Sequence, residues 1–582
     1  MPQIARAERW AFVALTVLVL TYVLLRALQV PLVHDEAVSF IAYVQTGAFL
    51  PFHSMWDANN HFLNSLCGVV GHRLFGFHPL ALRWASVLSF VLHAWCVWRL
   101  GARLHHCFIR WMFWGAMLLC PFLLDFFSLF RGYGPAMALL LVSVRHAAIF
   151  LETGPARSLI VSLLSMSLAM GFVLSFLPVA IVLTALLLPG ARRARQPFIA
   201  WLVFGLVPLT LFALLAWHMA ELGLLYQGDT EGYAATTIGS LLKVAFGADA
   251  AVWRVAPVLF LALVSAGLAL MHRRARLPQG VIIVGALLWG EWALRWLLAE
   301  TIGLNYAEDR TALHVLALFI AFAAFAADAL RRTHAAAWLL ALPLVVFPLR
   351  SATMANLDRT ALWPEQSIPD RFIDRIESLE QELGRPSVVG MHRLAGLPYG
   401  LQRRSRFGEG DGTATNWPDT PADARIEIKG VRFDADPRYV LADSAGNGLM
   451  LYVRRDPWEC RPIMDTLFEL QSVGLERSLG LSIPVERVRA GEVIAVAHGA
   501  LRGPDPLDLR VCVGVFDSAG HVLHGDHAVL ATRRALWSGE PWRTALLIPR
   551  IPEAARAELF FWEPRRKAFS VEHGRLRALS MD

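Results

Sequence analysis

Charge is scarce in this chain, and its scarcity excludes most soluble architectures. Only 17% of the 582 residues are Asp, Glu, Lys or Arg, against 56% apolar. An average soluble protein has about 25% charged and roughly 45–50% apolar residues. With a mean hydropathy of +0.47, the composition is that of a polytopic membrane protein. Cysteine is sparse as well: six residues, widely scattered, form neither a disulfide framework nor a metal-knuckle spacing. Four lie in the apolar half and read as packing residues, while Cys460 and Cys512 can pair if their compartment is oxidising. There is no repeat of 20 to 50 residues and no low-complexity tract. The net charge of +7 comes from arginines clustered between apolar segments, so it is a topology signal and excludes a nucleic-acid surface.

Eleven apolar segments, near residues 10–33, 80–99, 108–127, 134–151, 158–174, 176–190, 198–218, 251–271, 280–299, 312–330 and 335–350, suit a hydrocarbon core of about 30 Å, which needs about 20 helical residues. The first follows Arg6 and Arg9 and has no small-residue cleavage site before His34, so it reads as an uncleaved helix. Residues 158–190 would make one helix of about 50 Å, and Gly171 and Pro178 permit a hairpin, so two spans are expected. With the N-terminus inside, Arg99, Arg103 and Arg110, then Arg192, Arg193 and Arg195, then Arg273, Arg274 and Arg276, and finally Arg331 and Arg332 all fall on the cytoplasmic side.

The opposite loops then carry Asp35 and Glu36, Asp125 and Arg131, Glu221, Asp229 and Glu231, and Glu308, Asp309 and Arg310. Residues 1–350 are expected to form a membrane domain whose first outer loop is 34–79. Beyond 350 no apolar run of spanning length remains, so an outer, periplasmic-type region is expected. Residues 351–480 read as α/β: Phe372, Ile373, Ile376 and Leu379 recur at helical spacing before Gly384, a helix-ending residue, and short β-like runs follow around a Gly-rich loop near 407–417. Residues 481–582 read as an antiparallel β-sandwich resembling a jelly roll, with no helix.

The loop 34–79 is too patterned for a connector. Val38, Ile41 and Ala42 share one helical face, and a second helix follows Asn59 and Asn60, which suit the N-cap. Between them lie Asp35, Glu36, His53, Trp56, Asp57, Asn60 and His61. A carboxylate pair opening such a loop has the makings of general-base chemistry.

HDEA after the first helix, ANNHFLN in the first outer loop, DFFSLFRGYG at the end of the third helix and YAEDRTAL before a late helix together resemble the bacterial branch of the C-type glycosyltransferases. That branch is related to protein O-mannosyltransferases and lipid A aminoarabinose transferases. The resemblance covers residues 1 to about 350. It implies inverting transfer of a sugar from a polyprenyl-phosphate donor to a lipid, glycan or protein acceptor at the outer face of a bacterial inner membrane, in the service of cell-envelope glycosylation. It also implies Asp35 as general base and Glu36 as a group that orients the acceptor or holds a cation. Arg131 and Arg310 would grip the leaving phosphate, with His61, Asn60, Tyr133 and Tyr306 around the substrate. Some members of such families use a metal, for which Asp35 and Asp125 are the candidate ligands of a divalent ion. The first outer loop lacks the lysine expected of an aminoarabinose transferase. Two alternatives stand beside the enzyme: a transporter or flippase of lipid-linked sugars, which would carry ionisable or broken-helix features near the midplane, and a non-catalytic glycan-binding scaffold.

Overall fold

The computed structural model describes residues 4–225, 227–247, 251–273, 277–391, 393–407, 413–415, 422–429, 436–503, 507, 509–530 and 538–581. Arg274, Arg276 and most of the loop expected near 407–417 lie outside the described residues. Contacts divide the chain into two compact units, one of residues 1–29, 50–68 and 82–357, the other of residues 30–49, 69–81 and 358–582. The first outer loop is therefore shared out between them.

The first unit is helical, and the chain is a multi-span membrane protein. Among the described residues nine helices are long and apolar enough to cross a membrane, and the bent pair Cys107–Leu118 and Pro121–Ser128 makes a tenth. The 45° bend falls at Pro121, which has no N–H to continue the hydrogen-bond ladder. The expected span at 158–174 forms as Ala156–Phe172, 17 residues, at the short end of spanning length. The expected break after it also forms: Val173 is extended with φ −149°, and Leu177–Ala191 restarts with a proline in its first turn, where a missing N–H costs nothing. Helix Leu313–Leu330 is the core of the unit, 94% of its apolar window being buried. Its run of alanines lets neighbours approach closely, as interfaces in lipid require.

The second unit holds three β-sheets. A five-stranded sheet runs β2-β1-β3-β5-β4, with β1 (Val388–Met391), β2 (Thr413–Thr415), β3 (Ala424–Ile428), β4 (Tyr439–Ser444) and β5 (Leu449–Arg454). Strand β1 is parallel to β2 and β3, and the rest is antiparallel. The expected helix forms as Asp370–Leu383, buries Phe372, Ile373, Ile376 and Leu379, and ends at Gly384 in the left-handed region, φ 63°, where glycine is favoured.

Eight further strands follow: β6 (Cys460–Ser472), β7 (Arg477–Ile483), β8 (Glu492–Arg502), β9 (Arg510–Phe516), β10 (Val522–Val529), β11 (Ser538–Ile548), β12 (Arg556–Trp562) and β13 (Phe569–Met581). They make two antiparallel four-stranded sheets, β11-β8-β13-β6 and β10-β9-β12-β7. Successive strands β6 to β9 alternate between the sheets, as in a jelly roll. Two corrections follow. The sandwich begins at Cys460, not 481, because β6 and β7 supply an edge strand to each sheet. A short helix, Val485–Ala490, lies between β7 and β8. Cys460 and Cys512 sit in different sheets and are not joined by a disulfide.

Strand alternation gives β8 two partners. Val493, Ala495 and Ala497 enter the core between the sheets, whereas Ile494 and Val496 pack with Val388 and Ala422 of the α/β layer. Beside that second core, Arg385 forks onto Asp423 through two bonds of 2.8 Å, and Asp423 also accepts the Val388 N–H at 2.9 Å. Removing one member of a buried pair strands the other. Asp423→Asn is expected to cost about 3 kcal/mol, read as a lower unfolding midpoint of the β-structure by circular dichroism; an unchanged midpoint would show that the pair does not hold this junction.

Candidate functional site

Asp35 and Glu36 open the short helix His34–Ser39, which continues as a π-turn over Phe40–Val44 and belongs to the second unit. The two carboxylates differ. Glu36 is fully buried, and its Oε2 accepts the Val33 N–H at 3.0 Å, closing the first turn of the helix as a capping side chain does. Asp35 is only partly buried. The neighbouring His34 N–H donates to Gln366 Oε1 at 2.9 Å, tying this turn to the downstream chain of the same unit.

The other candidates lie in the helical unit. Arg131 is 1% exposed and its guanidinium is committed: Nη1 donates to Asn59 Oδ1 and Nη2 to His61 Nε2 at 2.9 Å. The other ring nitrogen, Nδ1, lies 2.7 Å from the Phe172 carbonyl. A carbonyl only accepts, so Nδ1 carries the proton and Nε2 the lone pair. Burial, and next the Arg131 guanidinium, hold the imidazole well below its usual pKa. His61 is thus a neutral strut between Arg131 and the end of helix Ala156–Phe172. Gly132 permits this approach, since a Cβ there would stand 2.2 Å from the Phe172 carbonyl oxygen. Tyr133 completes the group, its ring 5.1 Å from that of His61.

His61, rather than Asn60 or Asn59, occupies the position before the next helix. That helix begins at Phe62, and Asn60 instead accepts from Ser65 Oγ at 3.1 Å and donates to Ser54 Oγ at 3.2 Å. Asn60, His61 and Tyr133 line a cavity of about 210 Å³ together with Trp56, Asp57, Asn305, Ala307 and Thr311. Arg310 stands one residue back from it, reaching Gln227, a wall residue, at 3.5 Å. Tyr306 is buried and pairs through its backbone N–H with the Asp229 carbonyl at 2.9 Å. Asp309 opens the 3₁₀ turn Asp309–Ala312 with a positive φ of 47°, and its N–H donates to Ser240 Oγ at 2.9 Å. Non-glycine residues rarely adopt this conformation, and such strain gathers at functional loops.

Asp125 does not fit the expected cation. Its carboxylate is buried against Arg26 at 2.5 Å, and a carboxylate already answering a guanidinium is a poor ligand for a second positive charge. Among the described residues no three His, Cys, Asp or Glu side chains gather as a metal site.

The sequence reading missed a buried polar cluster. Glu291 and Arg295, on helix Gln279–Ile302, are 0% and 5% exposed and joined at 2.6 Å. Tyr233 donates its hydroxyl to Glu291 at 3.0 Å, and His314 Nε2 lies 3.3 Å from the same carboxylate. Arg295 lines the cavity. The signal was present: opposite charges four residues apart inside an apolar span mark a functional position.

No family model matches the chain, and no curated protein matches it. Among solved structures it is similar to ArnT from Cupriavidus metallidurans bound to undecaprenyl phosphate, at 13% identity over 69% of this chain and 73% of that one, TM-score 0.40. The apo state of the same protein aligns at 12% identity over 77% and 98%, TM-score 0.41. The arabinosyltransferase EmbB from Mycobacterium smegmatis aligns at 12% identity over 100% of this chain and 66% of that one, TM-score 0.35. Likeness at this level transfers no residue role and no substrate.

A neutral histidine held below its unfolded pKa of about 6.5 favours the native state at higher pH, and that contribution is lost as pH falls through about 6.5. His61→Gln keeps one donor and one acceptor but cannot protonate. Its unfolding midpoint is expected to drop less than that of the wild type between pH 7.5 and 5.5; equal drops would mean that His61 does not carry this sensitivity.

Proposed function

We propose that the chain is a glycosyltransferase that moves a sugar from a polyprenyl-phosphate donor to a lipid, glycan or protein acceptor at the outer face of the bacterial inner membrane, with its β-region outside the cytoplasm. The observation that carries this reading is convergence. Residues from three of the four sequence motifs, Asn60 and His61 of ANNHFLN, Tyr133 of RGYG, and Ala307 and Thr311 of YAEDRTAL, line one cavity, although they stand far apart in the chain. The arginine clusters support the orientation, because every one of them falls on the side opposite these motifs.

A phosphate leaving group requires cationic or N–H donors at its oxygens, and the helical unit supplies guanidinium groups in this region. The acceptor requires a base. Asp35, of the HDEA motif, is the candidate, a partly buried residue beside Glu36, whose carboxylate caps its own helix. It would take the proton of the attacking hydroxyl or amine as the new glycosidic bond forms and the sugar–phosphate bond breaks, inverting the anomeric carbon. The transporter reading draws on the intramembrane pair Glu291 and Arg295, and a transfer assay separates the two.

General-base removal costs about 10²–10⁴ in rate. Asp35→Asn is therefore expected to abolish most transfer of radiolabelled sugar from polyprenyl-phosphate donors into membrane acceptors, while Glu36→Gln lowers thermal stability more than turnover. Full turnover by a folded Asp35→Asn protein sinks the base assignment. Unchanged glycolipids and glycoproteins in a strain lacking the protein sink the transferase reading.

A further inference from the structure

Glu291 and Arg295 pose an energetic problem. An ion pair deep in an apolar helix bundle is often no more stable than two well-packed apolar residues, because desolvation offsets the Coulomb attraction. Here the cluster is larger than a pair. Glu291 Oε1 accepts from Arg295 Nε at 2.6 Å and faces His314 Nε2 at 3.3 Å, and Oε2 accepts the Tyr233 hydroxyl at 3.0 Å. Tyr233 is itself stacked on Trp292 at 5.0 Å and 17°. The carboxylate is thus fixed from three sides.

The guanidinium is fixed from one side only. Nε is held by Glu291, and Nη2 makes a long 3.4 Å bond to the Ser175 carbonyl; among the described residues Nη1 donates to nothing. Arg295 borders the cavity that Asn60, His61 and Tyr133 also line, amid apolar walls that include Leu177 and Leu298. The edge left open, Nη1 with Nη2, is the one that grips an oxyanion through two parallel bonds. A low-dielectric wall strengthens that grip. Arg295 also lies about 10 Å along the helix from its end at Ile302, a depth suited to a headgroup whose tail stays in lipid.

We propose that Arg295, not Arg131, is the cation that receives the phosphate of the lipid-linked donor, and that Glu291, braced by Tyr233 and His314, is the positioning residue that aims it. Arg131 is the weaker candidate because its guanidinium is already bonded to Asn59 and His61. The proposal rests on the donor class given above. Glu291 has two tasks: it offsets the charge of an empty site, and it occupies Nε so that the other edge faces the cavity.

The test compares binding of undecaprenyl phosphate and of undecaprenol, which lacks the phosphate, to the full-length protein in detergent, followed by native mass spectrometry. The wild type is expected to prefer the phosphate. Arg295→Met is expected to lose at least about tenfold in phosphate affinity with undecaprenol binding unchanged, and Arg295→Lys not to restore it, since an ammonium lacks the two-pronged edge. Tyr233→Phe removes one hydroxyl and no charge, so it tests the bracing even if Glu291→Gln fails to fold; about a threefold loss is expected for the phosphate alone. In turnover, Glu291→Gln should raise KM for the donor more than it lowers kcat, the reverse of Asp35→Asn. A wild type indifferent to the phosphate overturns the donor reading itself. A selective wild type with unaltered Arg295→Met and Tyr233→Phe proteins overturns only this assignment.

Discussion

The helical unit is organised by the cost of an ionised group in an apolar medium. Hydrocarbon offers no hydrogen bonds, so each buried charge must bring its partner with it. Arg26 is matched by Asp125 and by the Asn356 carbonyl at 2.8 Å, Arg83 donates to the Ala27 carbonyl at 3.1 Å, and Arg131 is held by Asn59 and His61. Those bonds are also the long-range ties of the unit. They join the first helix to the third motif, and the first outer loop to the break after Phe172. The polar groups that lipid would penalise are thereby the ones that fix where the apolar helices meet.

The second unit meets a different constraint, since its sandwich and its α/β sheet must each cover an apolar face. Strand β8 does both at once, its odd residues inside the jelly roll and its even ones against the α/β sheet. A strand buried on both faces reads as a continuous apolar run. EVIAVAHGAL reads that way in the sequence, and only the neighbouring layer explains why its outward face is not polar.

Much of the fold was legible because it follows from local rules. Apolar length marks spans, Val173 falls between two helical runs, and the spacing of Phe372, Ile373, Ile376 and Leu379 marks a helix face. The sandwich boundary was not legible, because β6 and β7 carry several outward polar residues and become strands only by completing two sheets. Within the site, the motif residues Asn60, His61 and Tyr133 were identified by type and loop. Their partners were not. Asp125 was offered as a metal ligand, and its pairing with an arginine 99 positions earlier could not be read from the letters; Glu291 with Arg295 was passed over inside an apolar window whose average hides two charges.

By itself the sequence determined the class of the molecule, the number of apolar segments, the sign of its loops and the chemistry available in them, since all of these depend on composition and on spacing along one chain. The tertiary structure alone decided which partner each buried charge meets. Arg131 and Asp125 are any arginine and any aspartate as letters, and their roles follow from Asn59 and His61 and from Arg26, which stand within hydrogen-bond distance of them. That distance is set by residues remote in the chain, through helix breaks, a glycine at 132 and the mutual exclusion of apolar surfaces. No local pattern encodes it.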